Sequence, residues 1–95
     1  MATRFSIRAF PSISKERRNS LEIIEDILNV ASEGANITEI VYKANLNFVR
    51  AKRYINFLLE EKLLAKVEQD GNHVYKTTVR GTDFIDGFQA LRRIV

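Results

Sequence analysis

Cysteine is absent from this 95-residue chain, which excludes disulfide bonds and thiolate metal sites. The one histidine, His73, has no second imidazole to complete a zinc site, so we expect no metal and no cofactor. No apolar run approaches the roughly 20 residues that cross a bilayer. The N-terminal segment also lacks the continuous apolar core of a secretory signal. These absences favour an intracellular protein with no membrane partner.

Catalytic groupings are missing as well. The sequence contains no nucleophile–base pair and no glycine-rich phosphate loop. Asp83 and Asp86 are close along the chain, and Glu60 and Glu61 are adjacent, but neither pair has a basic or hydroxyl partner for acid–base or metal chemistry. We interpret these carboxylates as helix-surface charges. The chain is therefore expected not to be an enzyme, with no catalytic residue and no small-molecule partner.

Positive charge is concentrated in two parts of the chain, although the formal net charge is only +3. An N-terminal arm (residues 1–18) and residues 47–62 are basic, whereas residues 21–46 are acidic. The basic residues are Arg4, Arg8, Lys15, Arg17 and Arg18 in the arm, and Arg50, Lys52, Arg53 and Lys62 in the second part. Such segregation of charge suits a polyanionic partner.

Two helices joined by a tight turn are predicted at residues 37–44 and 48–62, where apolar residues recur at helical spacing. Asn45-Leu46-Asn47 forms the turn, and Asn47 is suited to cap the second helix. The predicted inward face of that helix holds Phe48, Ala51, Ile55, Leu58, Leu59 and Lys62, and the opposite face holds Val49, Arg50, Arg53, Phe57 and Glu60. A short helix, a turn and a longer helix with a basic outward face are typical of a helix-turn-helix reader of DNA.

The flanking segments complete a winged helix. They are a helix from Asn19 or Ser20 to Ser32 with Ser20 as N-cap, strands at residues 63–68 and 73–78, and a helix from about Thr78 to the C-terminus. Gln69-Asp70-Gly71-Asn72 joins the strands, because Gly and Asn tolerate positive φ. The predicted fold class is mainly α with a small β-hairpin. Its domains are a mobile basic arm over residues 1–18, a winged helix-turn-helix domain over residues 19–78 and a C-terminal dimerisation helix over residues 79–95.

Three segments resemble an archaeal family of winged-helix DNA-binding proteins that includes a small, ten-kilodalton chromatin-type protein. The segments are YKANLNF at 42–48, YINFLLEEKLL at 54–64 and TTVRGTDFI at 77–85. Members of this family dimerise through the C-terminal helix as an antiparallel coiled coil. The resemblance covers residues 18–95 and implies a homodimer here. The chain departs from the family's pattern in a last helix that ends soon after Leu91, which would make the coiled coil short.

DNA contacts are predicted on the outward face of residues 48–62. In a recognition helix the N-terminal residues lie nearest the base edges. Asn47 and Arg50 are therefore predicted to contact bases, and Lys52 and Arg53 to contact phosphates. The full predicted DNA-binding set is Arg17 and Arg18 in the arm, Lys43, Asn47, Val49, Arg50, Lys52 and Arg53 in the helix-turn-helix, and Asn72, His73 and Lys76 in the wing.

A dimer interface is predicted on the last helix. Phe84, Phe88, Leu91 and Val95 recur at helical spacing and form an apolar stripe. Part of that stripe covers the domain's own core, and the rest is suited to pair with a second copy. Two-fold symmetry would place two recognition helices over DNA half-sites ~34–36 Å apart, or a multiple of that spacing.

Two functions are consistent with these features. The first is a cytoplasmic, nucleoid-associated protein that binds duplex DNA as a dimer through residues 48–62, as a transcriptional regulator or a chromatin component. The alternative is a winged-helix module for protein–protein interaction without DNA binding. Phe57 on the predicted outward face favours the alternative, because an exposed aromatic ring suggests packing on a partner. Glu60 and Glu61 also narrow the surface that could meet DNA.

Overall fold

The architecture of the chain is known from a computed structural model, which describes residues 19–94. Its elements are α1 (Ser20–Val30), α2 (Ile37–Lys43), α3 (Phe48–Glu60), β1 (Leu64–Gln69), β2 (Asn72–Thr77) and α4 (Val79–Ile94). Within this part, the predicted fold class of helices with one antiparallel hairpin is confirmed. The basic arm, with Arg17 and Arg18, and Val95 lie outside the described residues.

The N-cap of α1 is Asn19, so the predicted cap at Ser20 was wrong. Asn19 Oδ1 accepts from the Glu22 amide at 2.9 Å, and the Glu22 carboxylate accepts from the Asn19 amide at 3.3 Å. This reciprocal capping box satisfies two backbone donors at the helix start. Ser20 is instead buried, and its Oγ accepts from the hydroxyl of Tyr54 at 3.2 Å. The helix also ends earlier than predicted, at Val30.

The turn of the helix-turn-helix is confirmed. Asn47 caps α3 by accepting from the Arg50 amide at 2.8 Å, and Asn45 takes the left-handed conformation with φ of 58°. Asn tolerates this backbone region better than most side chains do. A second capping box, between Asn36 and Glu39, begins α2. Asparagine therefore marks the start of the first three helices.

The hairpin closes on Asp70 and Gly71, which have φ of 53° and 81°. Positive φ at both central residues is the signature of the type I′ turn, whose twist matches that of the strands. Asn72 is already paired with Gln69 as the first residue of β2, so the positive φ predicted there was wrong. β1 begins and ends one residue later than predicted, and β2 begins and ends one residue earlier.

Backbone contacts tie the hairpin to the helices. Ala35, between α1 and α2, exchanges two hydrogen bonds with Tyr75 of β2, at 2.9 and 2.8 Å. Thr77 donates from its amide to the Ala31 carbonyl and from Oγ1 to the Leu28 carbonyl, at 3.0 and 2.6 Å. These bonds satisfy carbonyls at the C-terminal end of α1 that have no partner within the helix. The wing is thereby held at a fixed angle to the helix-turn-helix.

The core is built from α1, α2 and α3, with contributions from the start of β1 and from α4. Its buried hydrophobic members are Ile23, Ile24, Ile27, Leu28, Ala31, Ala35, Ile40, Ala44, Leu46, Ala51, Tyr54, Ile55, Leu58, Leu63, Leu64 and Ile85. On α3 the prediction failed at Phe48, which is exposed, and Tyr54, which spacing places at the edge of the inward face, is fully buried. Phe57 is half-buried against the core, so it was assigned to the wrong face. The predicted end of the helix at residue 62 was also wrong, because α3 ends at Glu60 and Lys62 lies in the turn that follows, with φ of 64°.

The junction between α3 and α4 is closely packed. Thr78 caps α4 by accepting from the Gly81 amide at 3.0 Å, and its hydroxyl donates to the Lys62 carbonyl at 2.7 Å. Gly81 lies so near the backbone that a Cβ there would overlap the Leu63 carbonyl oxygen. Arg80 donates from Nε to the Glu61 carbonyl at 2.9 Å. The end of α3 and the start of α4 therefore form one rigid corner.

Candidate nucleic-acid interface

One face of α3 is exposed along its whole length. Its members are Phe48, Val49, Lys52, Arg53, Asn56 and Glu60. These positions follow helical spacing, opposite the buried Ala51, Tyr54 and Leu58. The face is apolar at its N-terminal end, cationic in the middle and acidic at its C-terminal end. A groove-binding element would therefore approach a polyanion with its first two turns.

Arg50 and Asn47, the residues predicted to contact bases, lie at the edge of this face. Arg50 is half-buried, whereas Lys52 and Arg53 are exposed. The Oδ1 atom of Asn47 is engaged in capping α3. The candidate interface is therefore centred on Lys52 and Arg53, and not on Arg50 as predicted.

Two exposed residues near this interface were not predicted as DNA-binding. Asn56 follows Lys52 and Arg53 on the same face of α3. Tyr42, at the last turn of α2, is 82% exposed. Asn56 was detectable from spacing, since it is four residues beyond Lys52. The exposure of Tyr42 depends on how α2 packs, which its sequence position alone does not reveal.

The remaining predicted contacts are exposed but spread out. Lys43 lies at the last turn of α2, while Asn72, His73 and Lys76 lie along β2. His73 Nδ1 is 3.9 Å from Glu68 Oε2, and both side chains are exposed. The wing thus carries acidic groups beside its basic ones, and it offers a weaker polyanion surface than α3.

The predicted dimer stripe lies beside an open apolar groove of about 520 Å³. Leu21 of α1 lines the groove together with Asp83, Phe84, Gly87, Phe88 and Leu91 of α4. The rings of Phe84 and Phe88 stack with centroids 6.3 Å apart, and both side chains are half-buried. Leu91 and Ile94 are 60% and 81% exposed. Of the stripe residues that the structure describes, Phe84 and Phe88 therefore pack partly within the chain and Leu91 faces solvent.

A buried carboxylate fixes the far end of α4 against α1. Glu25 is 5% exposed. Arg92 Nη2 donates to both of its carboxylate oxygens at 2.9 Å, and Gln89 Nε2 donates at 3.0 Å. Arg92 also lies over the Phe88 ring, with Cζ 5.1 Å from the centroid. We call this set the Glu25 clamp. It was not predicted, because Glu25 and Arg92 are far apart in sequence and each looks like a surface charge.

Within residues 19–94, no cluster of acidic or histidine side chains has the arrangement of a metal site. No helix in the same part of the chain is both long enough and apolar enough to span a membrane.

A family model for the winged helix-turn-helix matches residues 17–95, which includes every element described above. The chain belongs to the winged helix-turn-helix family. The resemblance drawn from the three sequence segments agrees with this membership. A further relative is the uncharacterized protein MJ0287 of Methanocaldococcus jannaschii, which is 37% identical over 51 residues. That match spans 53% of this chain and 53% of the relative, so the chain aligns with about half of its length.

Solved structures show the same fold. Sso10a-2, described as a DNA-binding protein from Sulfolobus solfataricus, superimposes with a TM-score of 0.72 at 27% identity, over 81% of each chain. NolR from Sinorhizobium fredii superimposes with a TM-score of 0.65 at 15% identity, over 98% of this chain and 82% of the other. The first likeness supports the predicted archaeal family, and the second shows the fold alone.

Proposed function

We propose that this winged helix-turn-helix chain binds duplex DNA as a homodimer and acts as a regulator or an architectural component of chromatin. The exposed face of α3 enters the major groove, as the second helix of a helix-turn-helix does. The observation that carries this proposal is the placement of Lys52, Arg53 and Asn56 together on the solvent side of that helix. The similarity to Sso10a-2, a DNA-binding protein, supports it.

The distribution of charge along α3 sets which part of the helix lies in the major groove. Lys52 and Arg53 lie one to two turns from its start, where the phosphates bordering the groove would lie. Glu60 is two turns further on and repels phosphate. The helix therefore contacts DNA through its N-terminal half, and its C-terminal half leaves the groove. The wing and the arm, which includes Arg17 and Arg18, add phosphate contacts under this proposal.

Dimerisation through α4 is the second part of the proposal. Leu91 and Ile94 are exposed at the end of a helix whose middle apolar residues, Phe84, Ile85 and Phe88, pack at least partly within the chain. The Glu25 clamp holds this end in a fixed direction relative to α1 and, through the core, to α3. A second copy packed on α4 would therefore present its recognition helix at a defined spacing, which two DNA half-sites require.

The test is fluorescence anisotropy of a labelled duplex titrated across a salt series. Wild-type protein should bind with a steep negative salt slope, because bound cations release counterions from the phosphates. Arg53→Ala should make the slope shallower by about 1, as expected for one lost phosphate contact. Arg93→Ala, which removes an exposed arginine from α4, is the matched control and should leave the slope unchanged. No binding at low salt would refute the proposal.

The protein-interaction alternative has lost the observation that favoured it. Phe57 is half-buried against the core and does not lie on the exposed face of α3. The aromatic residues that do face solvent near the interface are Tyr42 and Phe48, and they lie beside lysines. Their surroundings fit a polyanion with apolar groups better than they fit an uncharged protein surface.

A further inference from the structure

Apolar side chains occupy the tip of the candidate interface. Phe48 and Val49, the first two residues of α3, are 55% and 61% exposed. Burying an aliphatic or aromatic side chain of this size stabilises a protein core. The fold leaves both outside its core, although Phe48 is among the largest apolar residues of the helix. The exposure of these two adjacent residues must therefore be explained by what this surface contacts.

Local geometry fixes these two side chains on the solvent face. Asn47 caps α3 and sets where the helix begins. Ala51, Tyr54 and Leu58 then occupy the buried side. Val49 lies one helical turn before Lys52 and Arg53, on the same line. Phe48 precedes Lys52 by four residues, and the Lys52 Nζ atom lies 5.8 Å from its ring centroid.

This arrangement places apolar groups in front of cations along one helix face. Lys52 and Arg53 bind a polyanion. Phe48 and Val49 lie on the same face, so they contact an apolar group that belongs to that polyanion. In duplex DNA the major groove exposes one such group at the base edges, the C5 methyl group of thymine. Tyr42 lies on α2, the helix that crosses the DNA backbone in this motif, so it is not positioned to contact bases in the same way.

We infer that Phe48 and Val49 recognise thymine methyl groups in the major groove, while Lys52 and Arg53 hold the adjacent phosphates. The inference rests on the proposed function and specifies what its recognition helix reads. It gives the chain a preference for thymine-bearing sites that does not depend on hydrogen bonds to bases. RNA, which carries uracil without this methyl group, would lack the preferred contact.

The experiment compares duplexes that differ only in the methyl group. An A·T-rich duplex is prepared with thymine and, in the same sequence, with deoxyuridine. Wild-type protein should bind the thymine duplex about three- to tenfold more tightly, as expected for one or two buried methyl groups. Replacing cytosine by 5-methylcytosine in a G·C-rich duplex should raise the affinity in the same direction.

Val49→Ala is the decisive variant, since alanine shortens the side chain and is favourable in a helix. It should reduce the thymine preference by lowering the affinity for the thymine duplex more than the affinity for the deoxyuridine duplex, and the contact made by Phe48 should leave a smaller preference. Val79→Ala is the matched control, because Val79, like Val49, is an exposed valine in the first turn of a helix, here α4. It should retain the full preference.

The outcomes separate this inference from the proposed function. Equal affinity of wild-type protein for the thymine and deoxyuridine duplexes, with a steep salt slope, would refute thymine reading and leave DNA binding intact. Loss of affinity for both duplexes alike in Val49→Ala would also refute it, since the valine would then serve the helix and not the methyl group. Absence of binding to every duplex would overturn the proposed function, and capture of a protein through Phe48 would then replace both.

Discussion

The exposed apolar residues at the start of α3 and those at the end of α4 differ in the charges around them. Phe48 and Val49 lie in front of Lys52 and Arg53, and these cations are exposed. Leu91 and Ile94 also lie beside arginines, but Arg92 is bound to the carboxylate of Glu25 inside the Glu25 clamp. Apolar exposure alone therefore does not define a partner. At α3 both neighbouring cations are available to a polyanion, whereas at α4 one of the two neighbouring arginines, Arg92, is already neutralised within the chain.

This comparison leads to different expectations for the two surfaces. The end of α3 should bind a ligand whose affinity falls with salt, because its contacts release counterions. The end of α4 should bind a second copy with little dependence on salt, because apolar burial drives the association. Of the four variants that follow in order of decreasing expected effect, the first two test this distinction and the last two test the stability of the helix that carries the second surface.

Leu91→Glu should have the largest effect. A carboxylate placed in an apolar dimer interface loses its hydration without gaining a partner, so the dimer dissociation constant should rise by about 100-fold or more. Sedimentation equilibrium measures this change. The matched control is Val79→Glu, which introduces the same charge at an exposed apolar position outside the stripe. A dimer of unchanged affinity in Leu91→Glu would refute the assignment of this surface.

A point variant at Leu91 is preferable to truncation of the helix. Removing the residues after Gly87 would also delete Gln89 and Arg92, which bind the buried Glu25. The truncated chain would then lose stability for a reason unrelated to dimerisation.

Lys52→Ala/Arg53→Ala should follow, with a loss of DNA affinity of about 30-fold at low salt. Two phosphate contacts would be lost, so the salt slope should become shallower by about 1.8. The dimer dissociation constant should not change, because neither residue lies on α4. Anisotropy and sedimentation on the same samples check both statements. Loss of dimerisation in this variant would remove the distinction between the two surfaces.

Arg92→Ala should lower the free energy of unfolding by about 1–2 kcal/mol, because it leaves the buried Glu25 carboxylate with fewer donors. The larger loss known for fully buried ion pairs is not expected, since the Arg92 side chain is 50% exposed. Urea denaturation followed by circular dichroism at fixed protein concentration measures the change. Arg93→Ala, the neighbouring exposed residue, should change stability by less than about 0.5 kcal/mol. Equal effects of the two variants would show that the Glu25 clamp contributes nothing specific.

Gly87→Ala should have the smallest effect and the opposite sign. A Cβ at Gly87 meets no atom within 4 Å, so alanine fits there without a clash. It should stabilise α4 by about 0.5–1 kcal/mol, because alanine gives the unfolded chain less conformational entropy than glycine does. Thermal denaturation should compare the Leu91→Glu/Gly87→Ala double variant with Leu91→Glu alone, at a concentration where both are monomeric. The difference then reports the effect of Gly87→Ala on the stability of the monomer. A decrease in stability would contradict the open space that the structure shows at this position.

Local signals accounted for most of the secondary structure. The Asn45–Asn47 turn was read correctly from residue chemistry, and so was the Asp70–Gly71 turn apart from the residue with positive φ. The first helix start was misread by one residue, because Ser20 and Asn19 are both favourable caps and only Asn19 has glutamate at the right distance for the capping box. Element boundaries of this kind depend on single hydrogen bonds that compete closely.

The orientation of α3 was harder to read than its existence. Helical spacing predicted an inward face that contained Phe48 and placed Tyr54 at its edge. Tyr54 was buried in the fold because its hydroxyl finds Ser20 Oγ on α1, which removes the penalty of burying a polar group. Phe48 lies outside the core. Compared with the predicted orientation, α3 is rotated about its axis, so Lys52 and Asn56 lie at the centre of the exposed face.

Residues close together in the chain were enough to predict the hairpin turn, the family, the segment that carries the candidate interface and, to within one residue, where each described helix begins. The tertiary structure alone decided which side of α3 faces solvent, that Phe57 packs inward, and that Glu25 joins Gln89 and Arg92 in a clamp. Those features arise from contacts between residues far apart in sequence, whose free energies are set by packing and desolvation in the assembled core and not by local propensity.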